Sequence, residues 1–120
     1  MTAPKNPSRL ADDAAEAIRG LNHATLSTGQ LDWEFPADAY SVVGGLARMA
    51  AGLPQALDQV GALPESLTGR LSSDRGTLDA DLADAYGALA DAHDAAHALY
   101  EALNRAHSAL SPIAYTGSEG

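Results

Sequence analysis

The sequence predicts an all-α fold, an antiparallel bundle of about four helices with one long C-terminal helix as its spine. Three observations predict this class. Alanine is abundant, whereas aromatic residues make up only 5% of the 120-residue chain, a composition that disfavours a β-sandwich or a barrel. Apolar residues recur at every third or fourth position in several segments, which is the helical period. Glycine and proline residues punctuate the chain between those segments.

Composition also excludes several functional classes. The absence of cysteine from the sequence excludes a disulfide scaffold, a thiol nucleophile and a cysteine-ligated metal. Sixteen acidic residues against seven basic ones give a net charge of −9, which disfavours binding to nucleic-acid phosphates or to anionic membranes. The sequence has neither a glycine-rich phosphate loop nor a nucleophile-elbow motif. We therefore expect no enzyme activity, no cofactor, no nucleic-acid or membrane partner and no small-molecule substrate.

A single helical domain with short tails is expected. Residues 1–7 contain one lysine and two prolines but no apolar run, so they predict a flexible tail and not a signal peptide. Residues 8–112 form the predicted bundle, a length that suits one hydrophobic core, and residues 113–120 form a second flexible tail. Because no stretch approaches about 20 consecutive apolar residues, we also expect no membrane span and a cytoplasmic location.

Two features dominate the N-terminal part of the chain. Apolar residues at helical spacing predict a first helix over about residues 8–26, with Ser8 as its N-cap. The connection that follows alternates apolar and acidic residues, so Leu31, Trp33 and Phe35 share one side of an extended segment. These side chains either plug one end of the bundle, the interpretation that we favour, or form an exposed anchor for a protein partner. Aromatic residues dominate interface hot spots, which is why the second possibility stays open.

The middle of the chain is predicted to form further short helices. A second helix spans about residues 37–51, and the adjacent Gly44 and Gly45 predict a close helix crossing or a bend. Residues 54–72 continue the apolar stripe, but Pro64 interrupts it. Since proline removes a backbone donor, we expect two short helical pieces there, kinked or broken near Pro64.

The C-terminal segment, residues 77–110, is predicted to be one long helix about 50 Å in length, whereas the second predicted helix reaches only about 20 Å. One short helix cannot cover this whole apolar seam, so either several short helices pack along it end to end or another copy of the chain covers the remainder. We favour another copy, with Leu99, Leu103 and Leu110 as interaction residues. A heptad register with position a at Leu82 places the core stripe at positions a, d and e. Position a holds Leu82, Leu89, Ala96, Leu103 and Leu110; position d holds Leu78, Ala85, Ala92, Leu99 and Ala106; position e holds the ladder Tyr86, His93, Tyr100 and His107.

One histidine pair is a candidate metal site. His93 and His97 stand four residues apart on one helical face, a spacing that can place two imidazoles on one zinc ion. The sequence lacks the second ligand motif that metal sites in helical bundles use. We therefore predict no bound metal, and we expect His93 to face the interior edge with a carbonyl or carboxylate as its partner.

Three runs of the sequence resemble a group of small helical actinobacterial proteins of no known activity. The runs are residues 33–40, 43–46 and 53–59, and the resemblance extends over about two thirds of the chain. It implies a bacterial source, and it implies no activity, cofactor or site residue.

The predicted function is that of a non-enzymatic interaction or assembly protein that acts through helix–helix contacts, as a homodimer. Two alternatives remain open. One is a small helical ligand- or metal-binding module built on the ladder Tyr86, His93, Tyr100 and His107. The other is an accessory factor that contacts protein partners in a DNA-processing or mobile-element system.

Overall fold

The computed structural model describes residues 6–26, 37–66, 69–72 and 76–113. Within these ranges the regular secondary structure is entirely helical, so the predicted all-α class is confirmed. The described residues form three helices, and not the predicted four or so: α1 is Pro7–Ala24, α2 is Ala37–Ser66 and α3 is Leu78–Leu110. None of these helices is both long enough and apolar enough to cross a bilayer.

The helix count differs because α2 is continuous where the sequence predicted a second helix and two further pieces. It passes through both Pro54 and Pro64 and ends at Ser66, so the helix neither ends after residue 51 nor breaks near residues 61–64, and the alternative of a kink there stays a prediction. Proline in a helix interior costs about 3 kcal/mol in isolation, since Pro54 has no N–H to donate to the carbonyl of Ala50. Packing against α3 along the length of α2 offsets this cost, as tertiary contacts commonly do for helices.

The chain divides into two compact units, residues 1–35 and residues 36–120, of which the first contains α1. This helix begins one residue before the predicted Ser8, because Asn6 is the N-cap: its side-chain oxygen accepts a hydrogen bond from the backbone N–H of Arg9 at 2.8 Å. Pro7 suits the first helical position, where no N–H is needed. None of the residues of α1 is buried.

In the second unit, α2 and α3 pack as an antiparallel hairpin. Gly44, near the start of α2, lies under the His107 ring near the end of α3. Gly61, near the end of α2, lies beside Leu89 in the first half of α3. At about 1.5 Å per residue the two helices are about 45 and 50 Å long. The predicted second helix, about 20 Å long, was too short, because α2 is about twice that length and runs along nearly all of α3.

The core of the hairpin is made of alanine. Ala47, Ala50 and Ala96 are the buried hydrophobic residues in the described part of the chain, which contains no large side chain that is fully buried. Alanine lets two helix backbones approach closely, but it buries little apolar area. Two helices have thus joined without enclosing their larger apolar side chains.

Candidate functional site

The hairpin has two different sides, and its grooves identify them. One groove is lined by Arg48 of α2 together with Asn104 of α3, and the next groove is lined by Gln55 together with His97. The flank of α2 with Arg48 and Gln55 and the flank of α3 with His97 and Asn104 therefore lie on the same side of the hairpin. We call this side, with its polar and charged groups, the polar side of the hairpin.

The Tyr/His ladder follows the boundary between α2 and the polar side. Its four members are all half-buried: Tyr86, His93, Tyr100 and His107. The ring of His107 stacks on that of Tyr40, with centroids 4.0 Å apart and an angle of 19° between the planes. The sequence assigned these residues to the core stripe, and the structure confirms that they lie against α2.

The two candidate metal ligands contact different carboxylates. The Nε2 atom of His93 lies 3.5 Å from Oδ2 of Asp58, and its Nδ1 atom lies 3.3 Å from Oδ1 of Asp94. The Nε2 atom of His97 instead lies 3.4 Å from Oε2 of Glu101, one turn further along α3. Among the described residues, no three histidine, aspartate or glutamate side chains converge on one point. The expected carboxylate partner of His93 is confirmed.

The chemistry available on the polar side is that of hydrogen bonding in open grooves. A groove of about 460 Å³ lies between α2 and α3, with Asp58, His97 and Tyr100 among the residues that line it. The side chains of His97 and Glu101 are about 60% exposed, so water competes for each of their hydrogen bonds. Such a groove can hold water or a polar side chain, and it gives a reacting group little shelter from solvent.

The opposite side of the hairpin is apolar on both helices except at the outer edge of α3, where Asp84 and Asp91 lie. At 100° per residue, a stripe of large residues on α2 and a stripe of small residues on α3 lie on the flanks away from the polar side. We call these two stripes together the apolar face. On α2 they are Val42, Leu46, Met49, Leu53 and Val60; on α3 they are Ala85, Ala88, Ala92, Ala95, Leu99, Ala102, Ala106 and Ala109.

Part of this face is open to solvent. Val60 is 53% exposed, Leu99 is 43% exposed and Met49 is 38% exposed. Single exposed apolar residues are common on protein surfaces, but a continuous face of them marks an interaction surface. The apolar face is therefore the candidate functional site of the hairpin.

The predicted interaction residues divide into two groups. Leu99 lies at the centre of the α3 stripe, and Leu103 and Leu110 lie half-buried between that stripe and α2. Leu31, Trp33 and Phe35 lie outside the described residues, so the choice between a plug and a partner-binding anchor stays a prediction.

Sequence analysis missed the α2 half of the apolar face. The predicted break after residue 51 divided its stripe into two pieces, Val42 to Met49 and Leu53 to Val60. The signal that could have revealed it is the uninterrupted helical spacing of apolar residues across Pro54.

Comparisons with known proteins identify no relative of this chain. The chain matches no protein-family model, no curated protein and no solved structure.

Proposed function

We propose that this chain is a non-enzymatic interaction or assembly protein that acts through helix–helix contacts, as a homodimer. The observation that carries the proposal is the alanine-only core of the α2–α3 hairpin, which leaves large apolar side chains on one side of it. A two-helix hairpin is too small to enclose such residues, and further helices are the usual cover. Two hairpins would supply four helices, enough for an antiparallel bundle formed between two chains, whereas the sequence predicted such a bundle within one chain.

The polar side supports a non-enzymatic role. Its histidines are paired with neighbouring carboxylates in an open setting, where water weakens each contact. General acid–base catalysis draws its strength from groups held near a bound substrate and shielded from solvent. We therefore assign the Tyr/His ladder to packing between α2 and α3, and we place the function on the other side of the hairpin.

Light scattering coupled to size-exclusion chromatography tests the proposal. We expect the full chain to have the mass of a dimer at micromolar concentration and to shift toward the monomer on dilution. Because only the dimer gains the contact between copies, the midpoint of thermal unfolding should also rise with protein concentration. A monomeric mass throughout the micromolar range, with a melting temperature independent of concentration, would reject homodimerisation.

A further inference from the structure

We propose that two copies of the chain meet through the apolar face, with α2 of each copy packed on α3 of the other. This inference rests on the proposed function, since it names the surface by which the homodimer forms. The occupant of the face is thus a second copy of the same chain, related to the first by a two-fold axis.

Shape is the first argument for a second copy. The α2 stripe projects large side chains such as Leu46, Met49 and Leu53, whereas the α3 stripe is a smooth row of alanines with Leu99 at its centre. A two-fold axis places the large residues of α2 in each copy on the small residues of α3 in the other copy. A single rotation therefore covers both stripes of both copies. Large residues packed against small ones give the interdigitation that close helix packing needs.

Charge is the second argument. The chain has sixteen acidic residues and a net charge of −9, yet the centre of the apolar face, around Leu46, Met49 and Leu99, contains no charged residue. Asp84 lies five helical turns before Ala102 and Asp91 lies five turns before Ala109, so both aspartates share the outer edge of the α3 stripe, and both are exposed. Two copies can therefore meet over the centre of the face while these carboxylates stay hydrated at its rim, which avoids the large cost of burying an unpaired charge.

The size of the face is the third argument. The α2 stripe from Val42 to Val60 is about 27 Å long and the α3 stripe from Ala85 to Ala109 is about 36 Å long. Two helices side by side are about 20 Å wide, so each copy presents about 600 Å². A pair of copies buries about 1,200 Å², the lower end of the range for specific stable interfaces.

A matched pair of substitutions on α3 tests the surface. Ala95 lies in the apolar face, whereas Ala90 lies beside Tyr86 on the polar side, and both residues are exposed. Ala95→Glu and Ala90→Glu add the same charge and have the same helix propensity. We expect Ala95→Glu to raise the dimer dissociation constant by about tenfold or more, because two carboxylates are buried per dimer. Ala90→Glu should change it by less than about twofold.

Sedimentation of the full-length chain over a concentration series measures both constants, and circular dichroism checks that each variant keeps its helix content. Leu99→Ala is a second variant that adds no charge. Leu99 is 43% exposed in one copy, so its truncation should weaken the dimer several-fold and change the helix content little.

Each outcome decides the proposal. A dimer that is weakened by Ala95→Glu and by Leu99→Ala, but not by Ala90→Glu, supports it. A dimer that Ala95→Glu weakens no more than Ala90→Glu overturns the assigned surface and leaves the proposed homodimer intact. If the unmodified chain is monomeric, the proposed homodimer fails first, and the surface proposal fails with it.

Discussion

At the scale of single residues, Gly44 of α2 lies directly against the ring of His107 of α3. A Cβ atom on Gly44 would lie 2.8 Å from Nε2 of His107, closer than real Cβ contacts come. The His107 ring in turn stacks on Tyr40. Glycine at this position therefore admits an aromatic ring between two helices, which explains the close crossing predicted from the Gly44-Gly45 pair.

This contact predicts an unusual response to alanine. A glycine-to-alanine change inside a helix normally stabilises it by about 0.5–1 kcal/mol. In Gly44→Ala the new methyl group should displace the His107 ring from Tyr40, so the protein loses a stacking contact worth about 0.5–1.5 kcal/mol. We therefore expect no gain, or a loss of up to about 1 kcal/mol, in the free energy of unfolding measured with urea at fixed protein concentration.

Two controls isolate the cause. Gly52 lies on the same helix with no atom near its potential Cβ, so Gly52→Ala should show the ordinary gain of about 0.5–1 kcal/mol. In the His107→Ala background, Gly44→Ala should show the same gain, because the obstructing ring is gone. If Gly44→Ala stabilises the unmodified protein as much as Gly52→Ala does, the ring contact plays no energetic part.

At the scale of the helices, the hairpin depends on close approach between α2 and α3. Ala50 of α2 is fully buried and Ala96 of α3 is 7% exposed, and the helices can approach this closely only because both side chains are small. The same packing holds α2 together across Pro54. A local signal such as proline predicts where an isolated helix breaks, and it carries no information about the partner that prevents the break.

Overpacking should therefore separate the two helices. Ala96→Leu adds three carbon atoms between α2 and α3, and we expect it to lower the free energy of unfolding by about 1–3 kcal/mol. Ala98 lies two residues away on the exposed back of α3, so Ala98→Leu should change stability by less than about 0.5 kcal/mol. Urea denaturation of the two variants gives the comparison. Equal effects at the two positions would contradict the packing of α2 on Ala96.

At the scale of the whole molecule, net charge should oppose the proposed dimer, whereas burial of the apolar face should favour it. Two copies of net charge −9 repel each other, and Asp91 lies at the edge of the proposed contact. Salt screens this repulsion, since the Debye length falls from about 10 Å at 0.1 M to about 3 Å at 1 M. The dimer should therefore tighten several-fold between 0.05 and about 0.5 M NaCl, as measured by sedimentation.

A pair of aspartates on α3 provides the control for this prediction. Asp91→Asn removes a charge at the edge of the face, so it should tighten the dimer at low salt and weaken its dependence on salt. Asp94→Asn removes the same charge on the side away from the face and should have a smaller effect. A dimer that instead weakens as salt is added would indicate contacts made by ion pairs, which is incompatible with an apolar interface.

Sequence alone determined the class of this protein and the interior of its longest helix. The helical spacing from Leu78 to Leu110 predicted α3, and the ladder at position e predicted the residues that lie against α2. Both features are local, because residues close together in the sequence determine the 3.6-residue period and the side of the helix that is apolar. The Gly44-Gly45 pair predicted a close crossing or a bend, and the structure shows the close crossing, with His107 against Gly44.

Only the tertiary structure decided that α2 is one helix and that the hairpin has an apolar face. The antiparallel pairing places the apolar stripe of α2, from Val42 to Val60, and that of α3, from Ala85 to Ala109, on the same side of the hairpin. The two stripes lie far apart in the chain. An apolar stripe becomes core where another helix covers it and stays surface where none does. The period of apolar residues within one helix does not identify the helix that covers it. Here α3 covers the alanines of α2, offsets the cost of Pro54 and leaves the larger side chains facing outward.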